Sequence, residues 1–204
     1  MRNYMFRCRQ ILLFFTSLAL VAAMLTAAAS LGDFRAKCEQ IPEKVLRLHV
    51  LANSDLERDQ TLKRKVRDAV LRESCVLFSK AKTKEEAVEL AARNRDALEA
   101  AARSALRENG CTEPVSASLE RTYFNTRTYG EITLPAGCYD ALQVRIGKGE
   151  GHNWWCVMFP SLCVPSAVGT KMEDVLTEEE MDVVRTQGFD IRFQVVEWYE
   201  SVFG

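Results

Sequence analysis

The chain has 204 residues, with 27 Lys or Arg against 28 Asp or Glu. That length suits one domain with a substantial core rather than two. The first 29 residues carry three arginines and no acid, so the remainder has 24 basic against 28 acidic residues, a formal charge of −4. An acidic domain argues against a nucleic-acid partner, which would require a basic face.

The N-terminus has the layout of a secretory signal peptide. Three arginines precede an apolar run over residues 11–29, which ends in an Ala-Ala-Ala site typical of signal-peptidase cleavage. The run is also about long enough to span a bilayer, so it could stay as a membrane anchor. In both cases the arginines stay in the cytoplasm. We therefore predict a signal peptide or N-terminal anchor at 1–29, with cleavage favoured, and an exported domain at 30–204.

Export bears on the cysteines, because an even number in an exported chain is typical of disulfides. Six remain after the leader: Cys38, Cys75, Cys111, Cys138, Cys156 and Cys163. Sequence alone leaves all pairings open, and some of the six could simply be small buried hydrophobic residues. Cys156 and Cys163 are close enough in sequence to close a small loop, so we favour that pair as a disulfide.

The start of the exported domain predicts a strand followed by a helix. Residues 45–51 are short and rich in branched apolar side chains, which is typical of a strand. Ser54 with Glu57 three positions later forms a capping-box pattern. Apolar residues then recur at helical spacing as far as Leu77, so the first helix is expected to bury one face.

A second long helix is predicted over residues 84–109. Thr83 and Glu86 repeat the capping-box pattern at its start, and Gly110 supplies the left-handed residue that commonly ends a helix. Its apolar face is rich in alanine, so it can lie close to a sheet or to the first helix.

The second half of the chain predicts mainly strands. Residues 115–124 alternate between apolar and polar side chains, as a strand with one dry face does. Residues 132–134 and 139–146 flank a Pro-Ala-Gly turn at 135–137, which predicts a hairpin.

The C-terminal part predicts a short helix and a last strand. Thr177 and Glu180 open the helix, Gly188 closes it, and residues 191–195 alternate as a strand does. The whole order predicts a single α+β domain, with two long helices and one short helix packed on a mainly antiparallel sheet.

Function is expected in the stretch from Gly147 to Cys163, which concentrates glycine, tryptophan and histidine. Three glycines at alternate positions let the backbone approach another surface closely, and tryptophans commonly anchor interfaces. We predict a partner-binding surface composed of Gly149, Gly151, His152, Asn153, Trp154 and Trp155. The alternative is that the tryptophans plug the protein's own core. Because adjacent side chains of an extended chain point to opposite faces, one inward and one outward tryptophan is the simplest expectation.

Catalysis is the competing interpretation of the same stretch. Cys156, His152 and Asn153 supply the residue types of a cysteine hydrolase, and His49 is a second candidate base. A disulfide at Cys156 would block that chemistry. No spacing matches a zinc site or a phosphate-binding loop, so no metal and no cofactor are expected.

Several stretches resemble the stage II sporulation protein R family. Residues 48–55 read Leu-His-Val-Leu-Ala-Asn-Ser-Asp, and residues 62–71 continue the similarity. Residues 134–142 read Leu-Pro-Ala-Gly-Cys-Tyr-Asp-Ala-Leu, and residues 151–160 read Gly-His-Asn-Trp-Trp-Cys-Val-Met-Phe-Pro. Residues 191–198 resemble the end of the family's domain. The similarity covers most of the chain after about Lys44, with a departure at Leu56, near which a proline would be expected.

The resemblance implies a signalling role and no catalysis. Family members are made in the forespore and exported into the space between forespore and mother cell. There they are thought to trigger a membrane-embedded aspartic protease of the mother cell, of the stage II sporulation protein GA type. That protease processes the precursor of sigma factor E. An exported hydrolase using Cys156 and His152, acting on cell-wall material, is the alternative function.

Overall fold

The computed structural model describes residues 2–162, 170–185, 193–195 and 197–198. Its centre is a four-stranded mixed sheet in the order β2-β5-β1-β6. Strand β1 is Leu46–Leu51, β2 is Val115–Phe124, β5 is Gly137–Ile146 and β6 is Asn153–Phe159. Strands β1 and β5 are parallel, whereas the β2–β5 and β1–β6 pairs are antiparallel. The predicted α+β class and the mainly antiparallel sheet are therefore confirmed.

Helices cover one face of the sheet. They are α2 (Glu57–Leu77), α3 (Lys84–Arg93) and α4 (Arg95–Glu108). Leu48 and Val50 of β1 are buried in the cluster that these helices complete. The predicted second long helix is divided at Asn94, whose side-chain amide donates to the Leu90 carbonyl (2.9 Å). Such a side chain competes with the backbone for helical acceptors, and here a new helix begins at the next residue.

The other face of the sheet carries a second apolar cluster. It is formed by the end of α1 (Arg2–Gln40), by a 3₁₀ helix (Ile41–Lys44), by a hairpin of β3 (Arg127–Tyr129) and β4 (Ile132–Leu134), and by α5 (Met172–Val175) and α6 (Glu178–Val184). Because both faces are covered, both sides of the central strand β1 are buried along almost all its length. The domain therefore has three layers with the sheet in the middle.

The predicted leader forms most of helix α1. Described residues 10–29 are exposed, and the stretch Gln10–Lys44 is long and apolar enough to cross a membrane by length and composition. The helix then continues without a break at residue 29, and Phe34 and Cys38 are buried in the second cluster. Whether cleavage occurs after residue 29 stays a prediction.

Two predicted strand arrangements were wrong. The predicted hairpin does not form, because β4 pairs with β3 whereas β5 pairs with β1 and β2. The actual hairpin turn contains Gly130, whose φ of +61° favours glycine. Of the predicted strand at 191–195, residues 191–192 lie outside the described residues and 193–195 are helical, with Phe193 packed edge-on against Phe34 in the second cluster. A five-residue alternation is too short to exclude one helical turn.

The capping predictions had three different outcomes. Thr177 and Glu180 form the predicted reciprocal box at the start of α6, whereas Gly188 lies outside the described residues. Thr83 accepts from the Glu86 backbone, but the Glu86 carboxylate accepts from another backbone amide. Ser54 does not cap α2. Its hydroxyl instead donates to Asp59, in the region described next.

Candidate functional site

Two segments that are distant in sequence meet at one end of the sheet. Residues 52–55 follow β1, and residues 147–152 connect β5 to β6; together we call them the junction. Because β1 and β5 are parallel, their carboxyl ends lie at the same edge. Gly151 donates its backbone amide to the Ala52 carbonyl (2.9 Å), and Glu150 donates to the Asn53 carbonyl (3.3 Å). The junction therefore joins two of the stretches that were singled out in the sequence.

Asn53 is the centre of the junction. Its Oδ1 accepts from the Lys148 backbone amide (3.0 Å), while its Nδ2 donates to Asp59 Oδ2 (3.0 Å) on α2. Ser54 Oγ donates to the same Asp59 oxygen (2.7 Å). These hydrogen bonds from Ser54 and Asn53 lower the pKa of Asp59, because they stabilise its charged form. One side chain thus ties both segments to the start of helix α2.

The glycines of the junction serve the protein's own packing. Gly147 and Gly149 have φ values of +54° and +68°, in the left-handed region. A Cβ on Gly147 would overlap the Asn53 side chain, and a Cβ on Gly151 would overlap the Ser54 carbonyl. Gly147 and Gly151 therefore approach the residue 52–55 segment of the same chain, which the sequence pattern did not identify, whereas Gly149 approaches the Arg145 side chain.

His152 lies at the exposed rim of the junction. Its backbone amide and its Nδ1 both lie 2.5 Å from Asp55 Oδ1, and these contacts lower the pKa of Asp55. The His152 carbonyl accepts from Lys63 Nζ (2.8 Å). Lys63 is buried, and this burial lowers its pKa. The imidazole stays largely exposed, so the junction presents a fixed backbone with an accessible ring.

The two tryptophans lie on opposite faces of β6, as predicted, but neither face is open. Trp154 packs against the first apolar cluster, with the Arg67 guanidinium 4.2 Å from its ring. Trp155 stacks on His49 with ring centroids 3.7 Å apart and meets Phe124 edge-on at 4.6 Å. The expectation of one inward and one outward tryptophan is wrong, because the second cluster covers the other face of the sheet.

The structure does not bring Cys156 and His152 together. Cys156 is buried in the first apolar cluster, whereas His152 lies at the exposed rim, four positions back along an extended chain. That separation corresponds to roughly 13 Å. His49 points to the opposite face of the sheet from Cys156 and stacks on Trp155. The structure therefore does not place Cys156 beside either histidine, as a cysteine hydrolase that used it would require.

The predicted disulfide was placed between Cys156 and Cys163. Cys163 lies outside the described residues, so this pairing stays a prediction. Four other cysteines are not joined in disulfides: Cys38, Cys75, Cys111 and Cys138. Within the described part of the chain, no group of three His, Cys, Asp or Glu side chains is arranged to hold a metal ion.

An exposed apolar residue beside the junction was not predicted from the sequence. Leu56 lies between Asp55 and the first residue of α2, and 69% of it is exposed. Its position between two acidic residues, Asp55 and Glu57, is a sequence pattern that could have indicated its exposure. With Lys148, His152 and Asn153, which are also exposed, Leu56 gives the junction a mixed polar and apolar outer surface.

A family model described as Stage II sporulation protein R matches residues 42–169, a range that contains the complete junction. Stage II sporulation protein R of Bacillus subtilis (strain 168) is 31% identical over 188 residues, covering 80% of this chain and 83% of that relative. No solved structure shows significant similarity to the chain.

The role of Gly147 in holding the junction can be tested with a matched glycine. Gly147→Ala should lower the free energy of unfolding by about 3 kcal/mol, because it combines a left-handed backbone with overlap on Asn53. Gly130 has a similar φ, but no other atom lies within 4 Å of the Cβ that alanine would add there. Gly130→Ala should therefore lower the free energy of unfolding by only about 1 kcal/mol. Urea denaturation of both variants measures the difference. Equal losses would contradict the role of the Asn53 contact.

The burial of His49 predicts a pH dependence of stability. Burial lowers the pKa of His49 below its ordinary value of 6.5, so the unfolded chain takes up a proton before the folded chain does. The stability contributed by neutral His49 is therefore fully present above pH 6.5 and is lost as the pH falls below it, at up to about 1.4 kcal/mol per pH unit.

Urea midpoints between pH 7.5 and 5 measure this effect. His49→Phe keeps a ring against Trp155 and should flatten the profile, whereas the control His152→Gln, at the exposed rim, should keep its slope. A slope that survives His49→Phe would assign the effect to other groups.

Proposed function

Because the chain belongs to the stage II sporulation protein R family, we propose that it is an exported signalling protein that triggers a membrane-embedded aspartic protease. In this proposal the producing cell is the forespore, and the protease, of the stage II sporulation protein GA type, lies in the mother-cell membrane. Its activation leads to processing of the sigma factor E precursor. The observation that carries the proposal is the family match over residues 42–169, which includes the junction and most of the sheet.

The geometry supports recognition rather than chemistry by this chain. The candidate nucleophile Cys156 is 2% exposed and lies away from both histidines, and His152 is held on Asp55. Asn53 Oδ1 accepts a hydrogen bond from the backbone of the junction and Lys63 Nζ donates one to it, so this backbone is fixed before any partner arrives. A pre-organised surface binds at lower entropic cost than a mobile loop, which suits a ligand that activates another protein.

We place the partner contact at the outer surface of the junction. His152 and Asn153 supply exposed polar groups, and Leu56 supplies an exposed apolar side chain. Gly149 and Gly151 contribute by permitting the fold of the loop. Trp154 and Trp155 anchor β6 behind it, with only part of each ring accessible. The proposed surface therefore keeps the six predicted residues and adds Leu56.

Export is the first requirement of this function, since the sensing surface of the protease would lie across a membrane. Deleting residues 1–29 leaves Phe34 and Cys38, which pack in the second cluster, so the domain should fold but stay in the cytoplasm. We expect precursor processing to be lost, as measured by immunoblotting in cells that contain protease and precursor. Fusing an unrelated cleavable signal peptide before residue 30 is the control and should restore it. Full processing with the cytoplasmic variant would contradict the proposal.

Leu56 tests the location of the contact surface. Leu56→Ala should raise the concentration needed for half-maximal processing about tenfold, equivalent to about 1.4 kcal/mol of binding. Its melting temperature should change little, because the side chain is exposed. Val76→Ala is the matched control, since Val76 is 73% exposed near the far end of α2. Equal effects of the two substitutions on processing would move the contact away from the junction.

A further inference from the structure

Arg47 is a buried cation for which the described part of the chain provides no carboxylate partner. It lies on β1 with none of its surface exposed. Its guanidinium carbon is 4.1 Å from the ring centroid of Phe124, 4.9 Å from Tyr139 and 5.5 Å from Tyr129. Nε donates to the Cys156 carbonyl (3.4 Å), and Nη2 donates to the Tyr129 hydroxyl. Nη1 is buried and has no acceptor among the described residues.

Lys84 is a second buried cation and, unlike Arg47, it has carboxylate partners. It is buried to a similar extent, but its Nζ contacts Asp140 (2.8 Å) and Glu43 (3.2 Å). Burial lowers the pKa of Lys84, but these two carboxylates outweigh the burial and the net shift is upward. At Arg47, burial is the dominant influence and the pKa is lowered, although Tyr129 and Tyr139 oppose the shift. Ring faces attract a cation, yet they do not replace a counter-ion.

A cleft lies directly beside Arg47. It has a volume of 410 Å³ between α2 and the β3–β4 hairpin, and it is lined by Arg67, Asp68, Tyr129, Gly130, Trp154, Cys156 and Leu162. Tyr129 and Cys156 are the two residues to which Arg47 donates, so the guanidinium lies just behind the wall. Trp154 Nε1 is also buried without an acceptor among the described residues. Because Arg47 lies on the second-cluster face of the sheet and Trp154 on the first-cluster face, the two unmatched donors flank the cleft on either side of the edge strand β6.

The rim of the cleft is basic. Asp68 is its single acidic lining residue, and the Asp68 carboxylate accepts from Arg67 Nε (2.7 Å). An adjoining cavity of 360 Å³ shares Tyr129 and Trp154 and adds the exposed Arg127. The surface therefore offers cations and hydrogen-bond donors, and a ligand complementary to it carries a carboxylate.

We propose that this cleft binds an acidic side chain carried on an extended segment of the partner protein. The carboxylate accepts a hydrogen bond from Arg47 on one side of β6 once Tyr129 moves aside, and Trp154 Nε1 on the other side of β6 donates to a backbone carbonyl of the same segment. Tyr129 belongs to β3, a three-residue strand on the exposed side of the hairpin, and to move it must give up the hydrogen bond that its hydroxyl donates to the Trp155 carbonyl (3.2 Å). The inference rests on the proposed function for the identity of the partner, the membrane-embedded protease.

The first test separates stability from activation. Arg47→Met keeps the length and apolar stem of the side chain and removes an uncompensated buried charge, so the melting temperature should rise by about 2 °C or more. Precursor processing, measured by immunoblotting in cells that contain the protease and the precursor, should nevertheless fall at least tenfold. Lys84→Met is the control, and it should lower the melting temperature because Asp140 and Glu43 lose their partner. Unchanged activation with Arg47→Met would overturn the proposal.

The second test uses a photo-cross-linking benzoyl-phenylalanine at position 127 of the full chain, with the protease present in membranes. We expect cross-links to an extracytoplasmic segment that contains Asp or Glu. Trp154→Phe removes the indole donor but keeps a ring, and it should reduce the cross-link several-fold with little change in melting temperature. This variant keeps the test valid if Arg47→Met does not fold.

The outcomes distinguish the two proposals. If the wild-type chain causes no precursor processing, the proposed function fails, and the cleft is then judged on the cross-link alone. Cross-links confined to lipid, to a second copy of this chain or to a segment without acidic residues would overturn the acidic-segment proposal, even where processing is intact. A cross-link that Trp154→Phe leaves unchanged would overturn it as well.

Discussion

The Asn53 amide is the interaction on which the candidate site depends. Its oxygen holds Lys148, 95 positions away in sequence, while its nitrogen holds Asp59 on helix α2. No local propensity brings these groups together, because the contact requires β1 and β5 to lie parallel with their carboxyl ends aligned. An amide is suited to this position, since it offers a donor and an acceptor at once. Asp or Leu there would satisfy at most one of the two segments.

Features determined by neighbouring residues could be predicted from the sequence. The box of Thr177 and Glu180, the long strand β2 and the strand β1 all follow from spacing within one element. Features determined by distant residues could not. Ser54 matches a capping pattern but is engaged by Asp59, and β4 pairs with β3 because β5 already has partners on both edges. In both cases the local sequence pattern was present, but contacts with distant residues decided which partner each segment took.

The same limit applies to the candidate site. The sequence identified residues 147–155 as unusual, and the structure places them in one compact arrangement. The sequence could not show that Gly147 and Gly151 are required by close contact with Asn53 and Ser54 rather than by a partner protein. It also could not show that the second face of the sheet is covered, which is why Arg47 and His49, polar residues of a strand, are both buried. Those two residues are buried because the second apolar cluster covers their face of the sheet, and the sequence of β1 does not encode that cover.

Strand β1 separates the leader helix from the junction. The leader helix joins the domain through Ile41 at the amino end of this strand, and Asn53 follows its carboxyl end. The six extended residues of β1 span roughly 20 Å, so the sheet holds Ile41 and Asn53 at a fixed separation of at least about that length. The end of the leader helix and the junction therefore lie at opposite ends of β1. In the proposed function, the membrane attachment and the partner contact would be separated by the length of this strand, so that neither need obstruct the other.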